Sequence, residues 1–507
     1  MLLNQQARIS QKVAVGVVYV AAMFMSIMDI TIVNTALPTI GRSFGVSPTS
    51  VDTISIAYLV SLAIFIPASG WLGDRFGGKR VLLTAIVVFT AASALCGVAS
   101  SLSGLVAFRV LQGVGGGMLA PVGMAMLFRA FPPEERVRAA SILTIPTVIA
   151  PALGPVLGGL LVTELSWRWV FFVNVPIGMA AVIFGLLFLQ HSVESKPGRF
   201  DLAGFLLAGV GLGSLMFGIS EGPIVGWGSA EVLATIVVGV ALLVTMVFVE
   251  LRLTAPIIAL RLLGNRLFRS ANGIIVMSGI GFLGAQFVVI LYFQDGRGMS
   301  PLASGLSSFA AAIGVMVGAQ LASRLLFRVL GPRRDITFGL VWMAGALALM
   351  SLMDGTTSLW WSRLFLFAMG FGVGQVFVGA QAVSFATISP ADTGRASTLF
   401  NTMRQLGGAI GIALLTTVLV LVGPTEEVSG HVVTNFSAYH VTFLVAAAVC
   451  LGGIPWSLAV SDADAAHTIP GRRPTASPEA EAEAEAEAEP EAEAQPEPVA
   501  PTGELAI

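Results

Sequence analysis

Met25-Ser-Ile-Met-Asp29-Ile-Thr-Ile-Val-Asn34-Thr-Ala-Leu-Pro38 lies inside an apolar run that begins near Val13. About 20 apolar residues in helical conformation cross a bilayer, so the run reads as a membrane helix with a carboxylate near its middle. Insertion scales put the cost of such a charge at about 2.5 to 3.5 kcal/mol, and helices keep one when it faces a cavity or a partner. The rest of the chain is equally apolar: 55% hydrophobic, 11% charged, mean hydropathy +0.87. A soluble domain carries about 25% charge. Long runs, rather than short alternating segments, predict an all-α integral membrane protein and exclude an outer-membrane barrel. The first run is too long for a cleavable signal and lacks a small-residue cleavage site, so it is expected to stay as an anchor.

Splitting the runs at charged or Pro/Gly-rich breaks gives fourteen candidate spans. They cover 13–37, 52–72, 80–100, 104–128, 139–163, 169–190, 202–221, 231–250, 270–293, 302–323, 336–354, 359–385, 395–422 and 438–460. With both ends in the cytoplasm, only Arg42, Arg168, Arg297 and Arg363 fall on the outer side, and Arg109 lies inside a span. Every other Lys and Arg falls inside, the bias expected of cytoplasmic loops. The predicted organisation is a cytoplasmic segment 1–12, a six-helix bundle 13–190 and a linker 191–269 carrying helices 7 and 8. A second six-helix bundle, 270–460, and a solvated Glu-Ala-rich tail, 461–507, complete it. The bundles echo each other. Leu105-x-x-x-Arg109 precedes Gly113-x-Gly115, and Leu359-x-x-x-Arg363 precedes Gly370-x-Gly372-x-Gly374. Pro133 leads to Ala140-Ser141 as Pro390 leads to Ala396-Ser397. Repeated bundles are how secondary transporters build a midplane site.

Enzymatic chemistry has little to stand on. No phosphate-cradling G-x-x-x-x-G-K-[ST] occurs, and the glycine runs 113–117, 209–213 and 370–374 sit inside spans, where close helix packing explains them. His191, His431, His440 and His467 fall in loops, in the tail or near span ends, and Cys96 and Cys450 are isolated packing residues. No cofactor, no metal and no nucleic-acid partner is expected.

Gly70-Trp-Leu-Gly-Asp74-Arg75-Phe-Gly77-Gly-Lys79-Arg80 allows a tight return between the second and third spans. Asp74 suits a helix cap or an ion pair, while Arg75, Lys79 and Arg80 hold the loop in the cytoplasm. This stretch resembles the signature loop of the major facilitator superfamily. Arg109-Val-Leu-Gln112-Gly113 is similar to its buried-arginine motif. Ala152-Leu-Gly154-Pro155-Val-Leu-Gly158-Gly159 resembles the motif of proton-coupled antiporters. Asp29 through Pro38, Trp167-Arg168-Trp169 through Asn174-Val-Pro176-Ile-Gly178, and Tyr292-Phe-Gln294 through Ser300-Pro301 resemble motifs of fourteen-span drug:proton antiporters. The resemblance covers about residues 10–460. It implies the major-facilitator fold, a latch at Gly70–Arg80, and a helix-5 seal at Gly154, Pro155, Gly158 and Gly159 against proton leak. By their own chemistry, those glycines let a neighbouring backbone approach and Pro155 bends the helix.

At 1.5 Å per residue, Asp29 lies about 24 Å from the start of its helix, and Arg109 about 30 Å from Arg129. That is similar depth, and in the family fold both helices line one cavity, so the pair is expected to meet, with Gln112 nearby. Burial disfavours a charged carboxylate and a neighbouring guanidinium favours it. A change in their separation would load and release a proton, with a cationic substrate competing for the carboxylate. Asn34, Tyr58, Gln286, Tyr292, Phe371, Gln375, Phe377, Gln381 and Asn401 are candidate substrate contacts, since aromatic and amide groups suit amphiphiles. The second span has no acid between Thr53 and Trp71, nor the tenth between Leu302 and Ser323, which argues against polyvalent cations. The second copy of the signature loop has Ser323 before Arg324, so latching rests on the first copy. The expected function is proton-coupled export of lipophilic or cationic drugs by a monomer in the cytoplasmic membrane. The alternatives are a dedicated exporter or symporter of one endogenous metabolite, and a non-transporting receptor on the same fold.

Overall fold

The computed structural model describes residues 10–46, 51–190, 199–253, 256–428, 431–462 and 465, all within one compact unit. The acidic tail from 466, and 1–9 of the predicted cytoplasmic segment, lie outside the described residues. A helix occupies each predicted span. The first half holds α1 (Gln11–Phe44), α2 (Thr53–Phe76), α3 (Gly78–Gly97), α4 (Leu102–Ala130), α5 (Arg136–Glu164) and α6 (Asn174–Phe188, after a helical turn at Trp169–Phe172). The linker pair is α7 (Leu202–Val225) and α8 (Ala230–Glu250). The second half holds α9 (Arg266–Leu291), α10 (Pro301–Leu321), α11 (Pro332–Met350), α12 (Leu359–Ser384), α13 (Thr393–Val422) and α14 (Phe436–Leu451). Twelve described helices are long and apolar enough to cross a membrane. Not among them are α5, some of whose side chains lie outside the described residues, and α11, which opens on Arg333-Arg334-Asp335.

Helix starts follow local chemistry. Ser10, Ser101, Asp201, Ser229, Asn265 and Ser300 each accept a backbone N–H of the first turn. Gly77 has φ 86° and turns the chain from α2 straight into α3; Gly331, with φ 78°, precedes α11 in the corresponding place. Both dihedrals are ones a Cβ disfavours, so the repeat extends to the turn itself. A hairpin absent from the sequence reading, β1 (Thr425–Val428) against β2 (His431–Thr434) with Thr425 opposite Thr434, links α13 to α14.

The glycine runs are packing surfaces. A Cβ on Gly113 or Gly117 of α4 would strike the carbonyls of Tyr58 or Leu62 on α2, and one on Gly115 would strike Ala85 and Phe89 of α3. In the second half, α12 meets α10 through Gly370 and Gly374 and α11 through Gly372. So α4 and α12 each run between two neighbours at backbone distance. Gly209 and Gly213 seat α7 on Ile64 of α2, which places the linker pair beside the first half.

The described polar contacts between the two six-helix halves gather at the Asp74 end of the bundle. Ser69 and Thr398 hydroxyls are 3.2 Å apart, and Ser397 donates to Pro121 O at 2.6 Å. Phe128 stacks on Phe385 with centroids 4.3 Å apart, and Arg136 donates to the carbonyls of Phe385 and Ala386. Gly70 lets α2 lie against Gly394 and Thr398 of α13. A Ser69→Cys, Thr398→Cys pair is therefore expected to oxidise to a disulfide in membranes. Adding Gly70→Val should cut the yield severalfold, measured as a gel-shift after cleavage between the halves.

Candidate functional site

Asp29 sits midway along α1 and is fully enclosed, with 0% exposure. From α4, Arg109 and Gln112 stand one turn apart and reach it together. Arg109 Nη1 donates to Asp29 Oδ2 and, at 2.8 Å, to Gln112 Oε1; Gln112 Nε2 donates to Asp29 Oδ1 at 2.9 Å. A third donor comes from α6, where Asn174 Nδ2 lies 3.0 Å from the same Oδ1 and 3.1 Å from Ser93 Oγ of α3. Ser93 in turn donates to Phe171 O at 2.9 Å. The guanidinium, 1% exposed, sits 4.3 Å from the Tyr58 ring centroid and donates from Nε to Ile54 O at 3.3 Å. Tyr58 OH meets Ser26 Oγ at 3.0 Å. A buried ion pair survives only when its remaining lone pairs and protons are hydrogen-bonded, and here α2, α4 and α6 supply the partners.

Two findings differ from the sequence expectation. The carboxylate does not face an open cavity: it is walled in by α2, α3, α4 and α6. The described crevices, about 660 Å³ between α1 and α5 and about 260 Å³ between the linker and α13, are not lined by it. Asn174 was quoted as part of a motif but given no role. A neutral amide among aromatics carries no charge signal, and only the fold brings it to Asp29. Its own Oδ1 is buried with no donor among the described residues.

The helix-5 glycines act unequally. Gly154 packs on Thr31 and Ile32 of α1, and a Cβ on Gly158 would stand 3.1 Å from Ile32 O and from Thr35 Cβ. Gly159 faces open space, so it contributes no close approach, contrary to the reading of all three as one contact face. The Pro155 side chain lies outside the described residues. Gly154 and Gly158 thus clamp α1 just beyond Asp29.

At the signature loop, Asp74 accepts from Arg129 of α4 at 2.9 Å and rests against the first turn of α13, 2.8 Å from where a Cβ on Gly394 would stand. A helix N-terminus favours such a carboxylate, so Asp74 ties three helices from both halves. Arg75 and Arg80 are exposed. Lys79 is not an aqueous anchor: it is buried and donates to Leu186 O and Leu189 O, capping the last turn of α6.

The proposed substrate contacts scatter. Asn34 accepts from Ser55 at 2.9 Å. Tyr58 belongs to the Asp29 network. Tyr292 donates to Asp354 O at 2.8 Å and packs with Phe436 and Tyr439, a structural role at the end of α9. Phe371 lies against Trp342 and Phe367, and a Cβ on Gly339 would stand 3.2 Å from Gln375 Cβ, so both belong to the α11 side. Phe377 meets Phe282 edge-on, and Asn401 donates to Ser397 O and Met124 Sδ. Gln286, Gln375 and Gln381 each keep a buried amide oxygen without a donor among the described residues. Arg363 stacks on Trp360 and reaches Ser307; Arg404 reaches Asn401. Two further buried acids, Glu250 and Asp335, close or open helices whose ends the sequence places near water.

The glycine asymmetry has a direct test. Gly158→Val overpacks the α1–α5 contact and should cost about 1–3 kcal/mol, whereas Gly159→Ala should stabilise by about 0.4–1 kcal/mol. Thermal unfolding in detergent measures both.

The Major Facilitator Superfamily description matches residues 19–412. The chain is 32% identical over 406 residues to a multidrug resistance protein B homolog of Mycobacterium tuberculosis, covering 79% of this chain and 75% of that protein. It is 31% identical over 427 residues to the putative multidrug resistance protein MdtD of Klebsiella pneumoniae, covering 84% and 90%. It is 32% identical over 404 residues to a tetracenomycin C resistance and export protein of Streptomyces glaucescens, covering 80% and 74%. The crystal structure of the human organic anion transporter MFSD10 (TETRAN) superposes with TM-score 0.65 at 14% identity, covering 88% of this chain and 99% of that one, a likeness of fold. The paired halves, the glycine-packed α4 and α12 and the doubled turn agree with these matches: the chain belongs to the major facilitator superfamily.

Proposed function

We propose that this chain exports amphiphilic drugs or antibiotics in exchange for protons, by alternating access, through fourteen spans with both ends in the cytoplasm. The observation that carries the reading is the enclosed Asp29–Arg109 pair with its Gln112 and Asn174 donors. The names of the relatives, multidrug resistance and antibiotic export, support the substrate class. The bias of Lys and Arg supports the orientation and a cytoplasmic-membrane location.

In that orientation the closed Asp74 end faces the cytoplasm. A proton arriving from outside neutralises Asp29 and removes the attraction holding Arg109. Rotation of the Asn174 amide then turns its donor-free Oδ1 toward the new O–H. With the pair broken, α1, α4 and α6 lose a shared anchor, and the Asp74 contacts to Arg129 and α13 open. The proton leaves to the cytoplasm, and a lipophilic cation or neutral amphiphile enters the space between the halves. Its departure outside resets the pair. Buried amide oxygens on Gln286, Gln375 and Gln381 give a donor-bearing substrate acceptors to meet.

A susceptibility panel in a pump-deficient host tests the reading. Wild type should raise tolerance to several unrelated amphiphiles, an ionophore should erase the gain, and Asp29→Asn should give none at normal membrane abundance. Asn174→Ala, which loses one bond to a charged group worth about 1.5–3 kcal/mol, should cut efflux about tenfold and shift its pH profile. Tolerance to a single metabolite, or efflux indifferent to the ionophore, would overturn the proposal.

A further inference from the structure

The two linker helices end against each other through a pair of acids that the Asp29 mechanism does not use. Asp201 caps α7: its Oδ1 accepts from Gly204 N at 2.8 Å, while Oδ2 is buried with no donor among the described residues. Glu250 closes α8 and is 1% exposed. Its Oε1 accepts from Ile258 N at 3.2 Å, and its Oε2 is buried without a donor among the described residues. Asp201 Oδ2 and Glu250 Oε1 crowd the same point, both inside 3.0 Å of where a Cβ on Gly204 would stand.

No cation answers them among the described ion pairs. Arg199 and Arg252, adjacent along the chain, are exposed, and the exposed Arg261 donates to Leu251 O. On α2, Asp74 is taken by Arg129, and on α13 Arg395 faces Asp392 while Arg404 reaches Asn401. Two carboxylate oxygens 2.1 and 2.6 Å from one point, one of the groups sealed from water, do not both remain charged without a counter-ion.

We infer that Asp201 and Glu250 form a second proton-binding site, holding one proton between Asp201 Oδ2 and Glu250 Oε1. The shared proton turns a repulsion into a hydrogen bond and leaves Oε1 free to accept from Ile258 as well. The site therefore clasps three things: the start of α7, the end of α8 and the strap 256–260 that leads into the second half. Ile257 and Ile258 of that strap are buried. Ile258 and Leu260 share a crevice wall with Leu399, Thr402 and Met403 of α13. On the other side Phe200, next to Asp201, packs on Trp71 of α2 at 4.9 Å. Since α2 and α13 are the helices that close the halves together, loss of the proton loosens the strap beside the moving seam. The linker pair thus senses pH on the face it borders, separately from Asp29.

Infrared difference spectra of the full-length protein at neutral pH test this. Wild type minus Asp201→Asn, and wild type minus Glu250→Gln, should each contain a protonated-carboxyl band that is absent from wild type minus Asp29→Asn. Amide exchange of the wild-type strap 256–260, corrected for intrinsic rates, should accelerate at least tenfold as pH rises from neutral to about 9. Asp201→Asn, whose amide donates in place of the shared proton, should stay protected throughout. Absence of the band from both acid differences, or strap exchange indifferent to pH, overturns the inference. Protection at high pH restored by added magnesium or calcium, without a carboxyl band, overturns it in favour of a metal site. The Asp29→Asn spectrum keeps this outcome separate from failure of the efflux proposal.

Discussion

A carboxylate and a guanidinium held together without water constrain everything around them. Asp29 and Arg109 would be ruinous in an apolar bundle unless each remaining polar atom had a partner. The surrounding helices are arranged to supply them. Gln112 lies one turn from Arg109, Asn174 is steered by Ser93, and Ile54 offers a carbonyl while the Tyr58 ring covers the guanidinium. Removing one partner of such a pair typically costs about 3–5 kcal/mol, so in the proposed cycle a proton at Asp29 would act on the packing of the whole first half.

Leverage over that packing comes from glycine. Gly154 and Gly158 bring α5 against α1 beside the carboxylate, and Gly113, Gly115 and Gly117 fix α4, which carries Arg109, against α2 and α3. The α2 and α4 helices then run to the Asp74–Arg129 pair and the first turn of α13. A change at Asp29 therefore has a continuous rigid route to the closed end. Two discrete arrangements of that end, paired and unpaired, are what alternating access requires.

Much of this was legible in the sequence because charge in an apolar run is conspicuous. Asp29 and Arg109 stood out, and the rise per residue placed them at one depth before any contact was known. Gly77 was readable as a turn because the glycine-rich stretch Gly70–Arg80 permits one, whereas its counterpart Gly331 emerges only from the fold. What escaped was what depends on a distant neighbour. Asn174 carries no charge, so only the arrival of α6 beside α1 reveals it. Lys79 reads as a loop cation because its partners, the last carbonyls of α6, lie more than a hundred residues away. Gly159 looks equivalent to Gly158, yet the two differ by 100° around the helix. Phe371 turns its ring to Trp342 of α11 while Gly314 and Gly318 of α10 lie against its backbone. Composition does not encode that choice of side.

The central claim is that Asp29 exchanges its proton with substrate. The most direct measurement is proton release from purified protein in weakly buffered detergent, followed with a pH indicator as a lipophilic cation is added. The account predicts release from wild type that saturates with substrate and is absent in Asp29→Asn, although that variant remains folded. Equal release from the variant would contradict it.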